Sequence, residues 1–246
     1  MRSEFLGYPL DPWTLERTTE ELIARAQQGR GGHHVSLNAG KIVLASQDER
    51  LAEIMRHADV SSADGMGVVW AARFLGLKVP ERVAGIDLME TTLARAEELG
   101  LPVYFFGAKP EVLRAFLSVV SSRFPRIVVA GSHDGYAGDE SEVARDAAAG
   151  GARLLYVAVS SPKKEQLVGE IRELLPSTVM IGVGGSFDVW AGVTSRAPKW
   201  MQRAGFEWLY RFIQEPRRMW PRYVTGNMRF ARIVLSARFG KGSKAR

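Results

Sequence analysis

Two short blocks hold the residues best equipped for chemistry: Ala63-Asp64-Gly65-Met66-Gly67 and, about one helix and a loop later, Pro80-Glu81-Arg82-Val83-Ala84-Gly85. Asp64 falls just after a short strand at the start of a helix, and its glycines let a ligand approach the turn closely. A carboxylate there is a candidate general base that takes a proton from an acceptor hydroxyl. An Asp at a helix start also serves as an N-cap, and spacing does not decide between the two roles. Arg82, returning towards the same edge, would neutralise a diphosphate through its planar fork of N–H donors. Five loops of small and polar residues accompany them: Asn38-Ala39-Gly40, Gly107-Ala108-Lys109, Gly131-Ser132-His133-Asp134-Gly135-Tyr136, Ser160-Ser161-Pro162-Lys163-Lys164 and Gly184-Gly185-Ser186. Backbone amides exposed at such turns and at helix N-termini bind phosphate. Any one such loop also serves as a plain turn, but five on one edge point to a nucleotide site.

Absences narrow the chemistry. The 246 residues include no Cys, which removes disulfides, Cys-ligated zinc, iron–sulfur clusters and thiol nucleophiles. His33, His34 and His57 show no ligand spacing and read as structural, so no metal site is expected. His133, with Asp134 and Tyr136 on a post-strand loop, is a candidate for lining the nucleotide site. No Gly-x-Gly-x-x-Gly follows the first strand and no Gly-Lys-Ser/Thr occurs, which disfavours an NAD-dependent Rossmann-like enzyme and a P-loop ATPase.

The elements that must position these residues alternate. Strands are expected at 34–37, 102–106, 126–130, 154–159 and 178–183, and helices near 13–28, 39–57, 65–76, 85–99, 110–123, 139–149 and 163–175. Strands separated by helices require crossovers, hence a Rossmann-like, mainly parallel α/β sheet with helices on both faces, over residues 1–195. Ligands of such sheets sit beyond the carboxyl ends of the strands, where the loops above fall.

Charge divides the chain differently. Residues 1–195 hold 20 Lys and Arg against 25 Asp and Glu, a net of −5, whereas residues 196–246 hold 13 against 2, a net of +11. The basic segment is crowded with Trp200, Phe206, Trp208, Tyr210, Phe212, Trp220 and Tyr223. Helical spacing puts Trp220, Val224, Met228, Ala231 and Leu235 on one face, with Arg222, Thr225, Arg229, Arg232 and Ser236 on another. Such a segment suits an anionic surface, phospholipid or nucleic acid; a terminal helix packed on its own domain with a solvated basic face is the plainer alternative. The N-terminus lacks the apolar stretch of a signal peptide, and no run approaches the roughly 18 apolar residues of a membrane span. A soluble cytoplasmic protein is expected.

Several blocks resemble the WecG/TagA/CpsF family of bacterial glycosyltransferases. They are Asp64-Gly65-Met66-Gly67-Val68-Val69-Trp70-Ala71, Glu81-Arg82-Val83-Ala84-Gly85-Ile86-Asp87, Phe106-Gly107-Ala108-Lys109-Pro110, Gly182-Val183-Gly184-Gly185-Ser186-Phe187-Asp188, and the stretch from Arg196-Ala197-Pro198-Lys199-Trp200-Met201 to Gln214-Glu215-Pro216-Arg217-Arg218. The likeness runs from about residue 33 to 235, with its blocks in order. It implies inverting transfer of an N-acetylmannosamine or uronic-acid type sugar from a UDP-sugar to a polyprenyl-diphosphate-linked saccharide. Such enzymes build wall teichoic acid, enterobacterial common antigen or exopolysaccharide on the inner face of the cytoplasmic membrane. By the same resemblance Asp64 is the base and Arg82 stabilises the leaving diphosphate. Ser36, Asn38, Gly107, Lys109, His133, Tyr136, Lys163, Lys164, Gly184, Gly185 and Asp188 are the expected substrate contacts. The family lacks an Asp-x-Asp metal motif, as does this sequence, so no metal and no cofactor are expected. Residues 196–246 match a C-terminal membrane-docking appendage, in which Arg211, Arg217, Arg218 and Arg222 are candidates for contacts with lipid phosphate or the acceptor diphosphate. Lipid is thereby favoured over nucleic acid. A homo-oligomer is compatible with the sequence, which carries nothing that specifies one.

Two departures stand out. The family's usual Thr-x-Asn-x-Glu reads Ser36-Leu37-Asn38-Ala39-Gly40, losing the carboxylate, and Pro-Lys-Gln-Glu reads Pro162-Lys163-Lys164-Glu165. Lys164 adds a charge beside the expected diphosphate site and raises the hypothesis of a uronic-acid donor. Kinetics of Lys164→Gln with neutral and acidic UDP-sugars test it, and an unchanged donor preference counts against it.

Overall fold

The computed structural model describes residues 2–136, 140–203, 205, 207–214 and 216–240, and of residues 140, 203, 211 and 216–225 the backbone only. A hairpin not foreseen in the sequence opens the chain: β1 (Ser3–Phe5) pairs antiparallel with β2 (Tyr8–Leu10). It buries Phe5, Tyr8 and Leu10 against the rest of the molecule. Helix α1 (Leu15–Gln27) follows, capped by the Thr14 side chain.

Six strands form the main sheet: β3 (Gly32–Leu37), β4 (Val60–Ala63), β5 (Val103–Gly107), β6 (Val129–His133), β7 (Leu154–Ala158) and β8 (Val179–Gly182). Their order is β4-β3-β8-β7-β5-β6, and every pairing is parallel. All but β6 are buried at every position, as a sheet covered on both faces requires. The connecting helices are α2 (Ala39–Ala45), α3 (Glu49–Arg56), α4 (Met66–Phe74), α5 (Gly85–Leu99), α6 (Pro110–Arg123), α7 (Glu140–Ala149), α8 (Lys163–Ile171) and α9 (Ser186–Trp190). On one face α1, α5, α6 and α9 bury Leu22, Leu88, Leu93, Phe116 and Phe187. On the other, α2, α3 and α4 bury Ile42, Leu51, Met55 and Val69, beside a third cluster under α7 and α8.

Three expectations are corrected in detail. The helix expected over 39–57 is two, because Asp48 accepts a hydrogen bond from Leu51 N and caps a fresh start at α3. The strand expected at 126–130 lies at 129–133, where Val129 pairs with Val103 of β5; the partner's register, not local apolarity, sets its position. The helix expected to reach 175 gives way after Ile171 to a 3-10 turn over Arg172–Leu174.

After Arg196 the chain forms α10 (Lys199–Arg203), α11 (Glu207–Gln214) and α12 (Pro216–Phe239). α12 returns to the body and buries Phe230 and Val234 in the cluster that holds Ile42 and Val43 of α2. Met228 and Leu235, of the apolar face expected to meet an anionic surface, are exposed, while the side chains of Trp220, Val224, Arg211, Arg217, Arg218 and Arg222 lie outside the described residues. No described helix is long and apolar enough to cross a membrane.

The packing under β5 gives a direct test. Phe116 and Phe187 stack with ring centroids 3.9 Å apart and both are fully buried. Phe116→Ala is expected to cost about 3–5 kcal/mol, through lost burial and the cavity between α6 and α9, read as a lower urea midpoint with an unchanged slope.

Candidate functional site

Because all six strands run parallel, every loop that follows a strand opens on the same edge of the sheet. The chain leaves β3 for the face of α2 and leaves β8 for the face of α9, so the crevice for a ligand opens between their carboxyl ends. Asn38, Asp64, Lys163 and Gly184 follow strand ends on this edge, and Gly107 and His133 are the last residues of β5 and β6.

Backbone bonds draw the loop that carries Arg82 towards the strand end that precedes Asp64. Asp64 N donates to Leu37 O at 2.8 Å, tying it to the end of β3, and Val83 N donates to Ala63 O at 2.8 Å, drawing the loop that carries Arg82 alongside the end of β4. The N-cap of α4 is Gly65, with φ +98 and no side-chain cap bond, one residue after Asp64. Helix α5 begins against β8: a Cβ on Gly85 would stand 3.6 Å from Gly182 O. Its N-terminal amides therefore face the crevice, where they favour an anion.

Other expected contacts are dispersed along the edge. Asn38 caps α2, its Oδ1 accepting from Lys41 N at 2.9 Å, and Ser36 is buried within β3. Gly107 adopts φ +122, and a Cβ there would come within 2.5 Å of Ala158 O; only glycine lets the ends of β5 and β7 pass this closely. Lys109 precedes α6 and Lys163 opens α8, both exposed. Gly184 and Gly185 lead into α9, whose first turn carries Asp188. Gly135 N donates to Ala108 O at 2.8 Å, so the loops after β5 and β6 move as one, with Tyr136 exposed beside them. His133 and Tyr136 follow the opposite edge strand from Asp64, five strand spacings or on the order of 24 Å away. They can share one ligand with Asp64 only if it lies extended along the edge.

Sequence reasoning named Arg82 and Lys164 but passed over their partners and Lys41. Arg82 Nη1 donates to Glu207 Oε2 of α11 at 2.6 Å, with both side chains mostly buried. Arg196 makes a bidentate pair with Asp87 in the first turn of α5, at 2.6 and 2.7 Å. The C-terminal helices are thus held to the edge by ion pairs on both sides of the Arg82 loop. A Cβ on Gly205 would fall 2.9 Å from Met66 Cγ, so the turn before α11 rests on α4 directly behind Asp64. Deeper lies a buried cluster in which Lys41 Nζ stands 2.8 Å and Lys164 Nζ 3.3 Å from Glu165 Oε1, which also accepts from Ser161 Oγ at 3.1 Å. Burial and the Lys164 charge push Lys41 down to about 8, against the pull of Glu165 and Asp64. Burial works to raise Glu165, but the two ammonium groups outweigh it and hold it down at about 2. His34, pushed down to about 3 by burial and the lysine charges, stays neutral and pairs through Nε2 with Ser62 Oγ. The available signal was Lys41 itself, a charge set in the apolar run Ile42-Val43-Leu44-Ala45, since a lysine on a buried face requires a buried partner. Among the described residues no group of three His, Asp or Glu side chains gathers as metal ligands do.

Glu165 gives a stability prediction. Its folded value lies below its ordinary 4.5, so its contribution is complete above about pH 4.5 and is lost as pH falls towards 2. Glu165→Gln would leave two buried ammonium groups unbalanced, costing about 3–5 kcal/mol at pH 7. Urea titrations across pH should show that loss at neutrality and a gap to the parent that narrows below pH 4.5.

The chain is similar to known proteins along most of its length. The family model described as the glycosyl transferase WecG/TagA/CpsF family matches residues 3–244. The chain is also 36% identical over 210 residues, 83% of its length and 82% of the relative's, to an N-acetylglucosaminyldiphosphoundecaprenol N-acetyl-beta-D-mannosaminyltransferase of Bacillus spizizenii.

Proposed function

The chain belongs to the WecG/TagA/CpsF family of glycosyl transferases, and on that premise we propose that it moves an N-acetylmannosamine or uronic-acid type sugar from a UDP-sugar to a polyprenyl-diphosphate-linked saccharide. That it is a glycosyltransferase follows from the family; the donor, the stereochemistry and independence of metal are our reading. The observation that supports it is the hydrogen bond from Val83 N to Ala63 O, which draws the loop that carries Arg82 alongside the end of the strand that precedes Asp64.

The reaction is a single displacement. Asp64 accepts the proton of the acceptor hydroxyl as its oxygen attacks the anomeric carbon, and the bond from that carbon to the UDP oxygen breaks on the opposite face, inverting the centre. UDP leaves as an anion, stabilised by Arg82, by Lys109 and Lys163, and by the backbone amides around Gly107 and Gly184. Glu207 accepts from one Nη1–H of Arg82, and the remaining guanidinium donors serve the diphosphate. These cations take the part that a divalent metal plays in other sugar transferases. Positioning supplies most of the rate gain and the base about 10²–10⁴-fold.

A lipid-linked acceptor calls for contact with a membrane. Exposed Met228 and Leu235 on α12, flanked by exposed Arg229 and Arg232, suit the surface of an anionic bilayer. This supports a peripheral position on the inner face of the cytoplasmic membrane.

Asp64→Asn tests the assignment. It should lose transfer by at least the factor ascribed to the base while retaining UDP binding by calorimetry. Near-normal turnover would remove Asp64 from its role.

A further inference from the structure

Helix α4 buries Val68, Val69, Ala71 and Ala72 in the core, so its packing is complete without Trp70 and Phe74. Those two rings, one turn apart on the outer side, stay 52% and 47% exposed. They are not isolated. Phe239 of α12 meets Phe74 edge to face with ring centroids 6.4 Å apart, and the Arg238 guanidinium lies 5.7 Å from the Phe74 ring centre. The apolar surface continues along α12 through exposed Leu235 and Met228, which share a stripe with Phe239 on the side away from buried Phe230 and Val234. At its other end a Cβ on Gly205 would stand 3.5 Å from Trp70 Cζ2, so the turn before α11 borders it. The charge around it has one sign. Residues 65–80 and α12 contain no Asp or Glu, whereas Arg73, Lys78, Arg229, Arg232 and Arg238 are exposed. Apolar side chains left in water and rimmed by charge mark a contact surface.

We propose that α4 and α12 together form a docking face for an anionic phospholipid bilayer, with Trp70 and Phe74 of the Rossmann-like body seated among the headgroups beside Phe239, Leu235 and Met228. The inference rests on the lipid-linked acceptor proposed above and goes beyond α12 by giving the body itself a contact with the bilayer. Aromatic rings favour the boundary between headgroups and acyl chains, where they leave water and neighbouring cations meet lipid phosphate. Aliphatic Met228 and Leu235 gain nothing from stacking on bases, which argues against a nucleic acid. Charge of a single sign argues against a second copy of the same face, since like charges would be opposed. The face is firm, because Arg73 donates to Val79 O at 2.9 Å and to Pro80 O at 2.8 Å, fixing α4 to the segment that leads to Arg82. Its place suits the reaction. α4 starts two residues after Asp64 and runs about 12 Å to Phe74, so a bilayer on this face lies within a helix length of the candidate base.

The test is flotation of the full chain, without substrates, on phosphatidylcholine vesicles with and without phosphatidylglycerol. The parent should bind the anionic vesicles and bind the neutral ones more weakly; equal binding to both would refute an anionic partner. Replacing both rings, Trp70→Ser with Phe74→Ser, should lower partition by about tenfold or more, with a urea midpoint close to the parent's because both side chains are exposed. Parent-like partition would leave docking to α12 alone and overturn the proposal. A second measurement needs no loss of binding. Trp70→Phe keeps a ring in place, and lipids brominated in the acyl chain should quench the parent's fluorescence more than that variant's; equal quenching would put Trp70 outside the bilayer and sink the idea. A sedimenting mass that rises with concentration in the parent but not in the double variant, or oligonucleotide binding lost in that variant, would also overturn it, by giving the face to a second copy or to a nucleic acid. Sugar transfer enters none of these readouts, so failure of every donor with vesicle binding intact refutes the proposed reaction and leaves the docking face standing.

Discussion

Six parallel strands have all their carboxyl ends on one edge, and the rest of the molecule depends on that constraint. A parallel pair cannot be closed by a tight turn, so each strand is followed by a loop and then a helix, and each helix starts at the edge where its strand stopped. The amides of those helix starts concentrate partial positive charge along one line. Asp64 is the anion set into that line, at the carboxyl end of β4.

The edge holds more charge than its surface shows. Lys41 and Lys164 are buried around Glu165, while Arg82 and Arg196 are engaged by Glu207 and Asp87. Pairs of this kind add little net stability when measured against apolar packing, yet losing one partner is costly. Their effect here is on placement. Glu207 joins the C-terminal helices to the loop expected to meet the diphosphate, and Arg196 joins them to the start of α5. The basic segment is therefore bound to the edge through Glu207 and Arg196, while Arg229 and Arg232 remain exposed.

Much of the fold was legible because local and tertiary demands coincide. The runs at 154–158 and 179–182 are apolar and buried at every position, so pattern and burial agree. Where they diverge, the reading slips. At the exposed edge strand β6, register with β5 overrides the apolar run that starts at Arg126. In α12, helical period locates the exposed apolar face of Met228 and Leu235 but gives no sign that Phe230 and Val234 meet α2. Asp64 and Arg82 were singled out because strand ends are where such folds bind ligands. Glu207 was not, since it lies 125 residues from Arg82 and nothing local marks a glutamate that will be buried against a distant arginine.

The central claim is sugar transfer from a UDP-linked donor to a lipid diphosphate, with side chains and amides in place of a metal. Its most direct measurement combines the protein, EDTA and a polyprenyl-diphosphate-GlcNAc acceptor with a panel of UDP-sugars and reads product mass. The account predicts one added N-acetylmannosamine or uronic-acid type residue, from a single donor, with the chelator present. Product formed only when a divalent metal is restored, or no product together with failure to bind UDP, would contradict it.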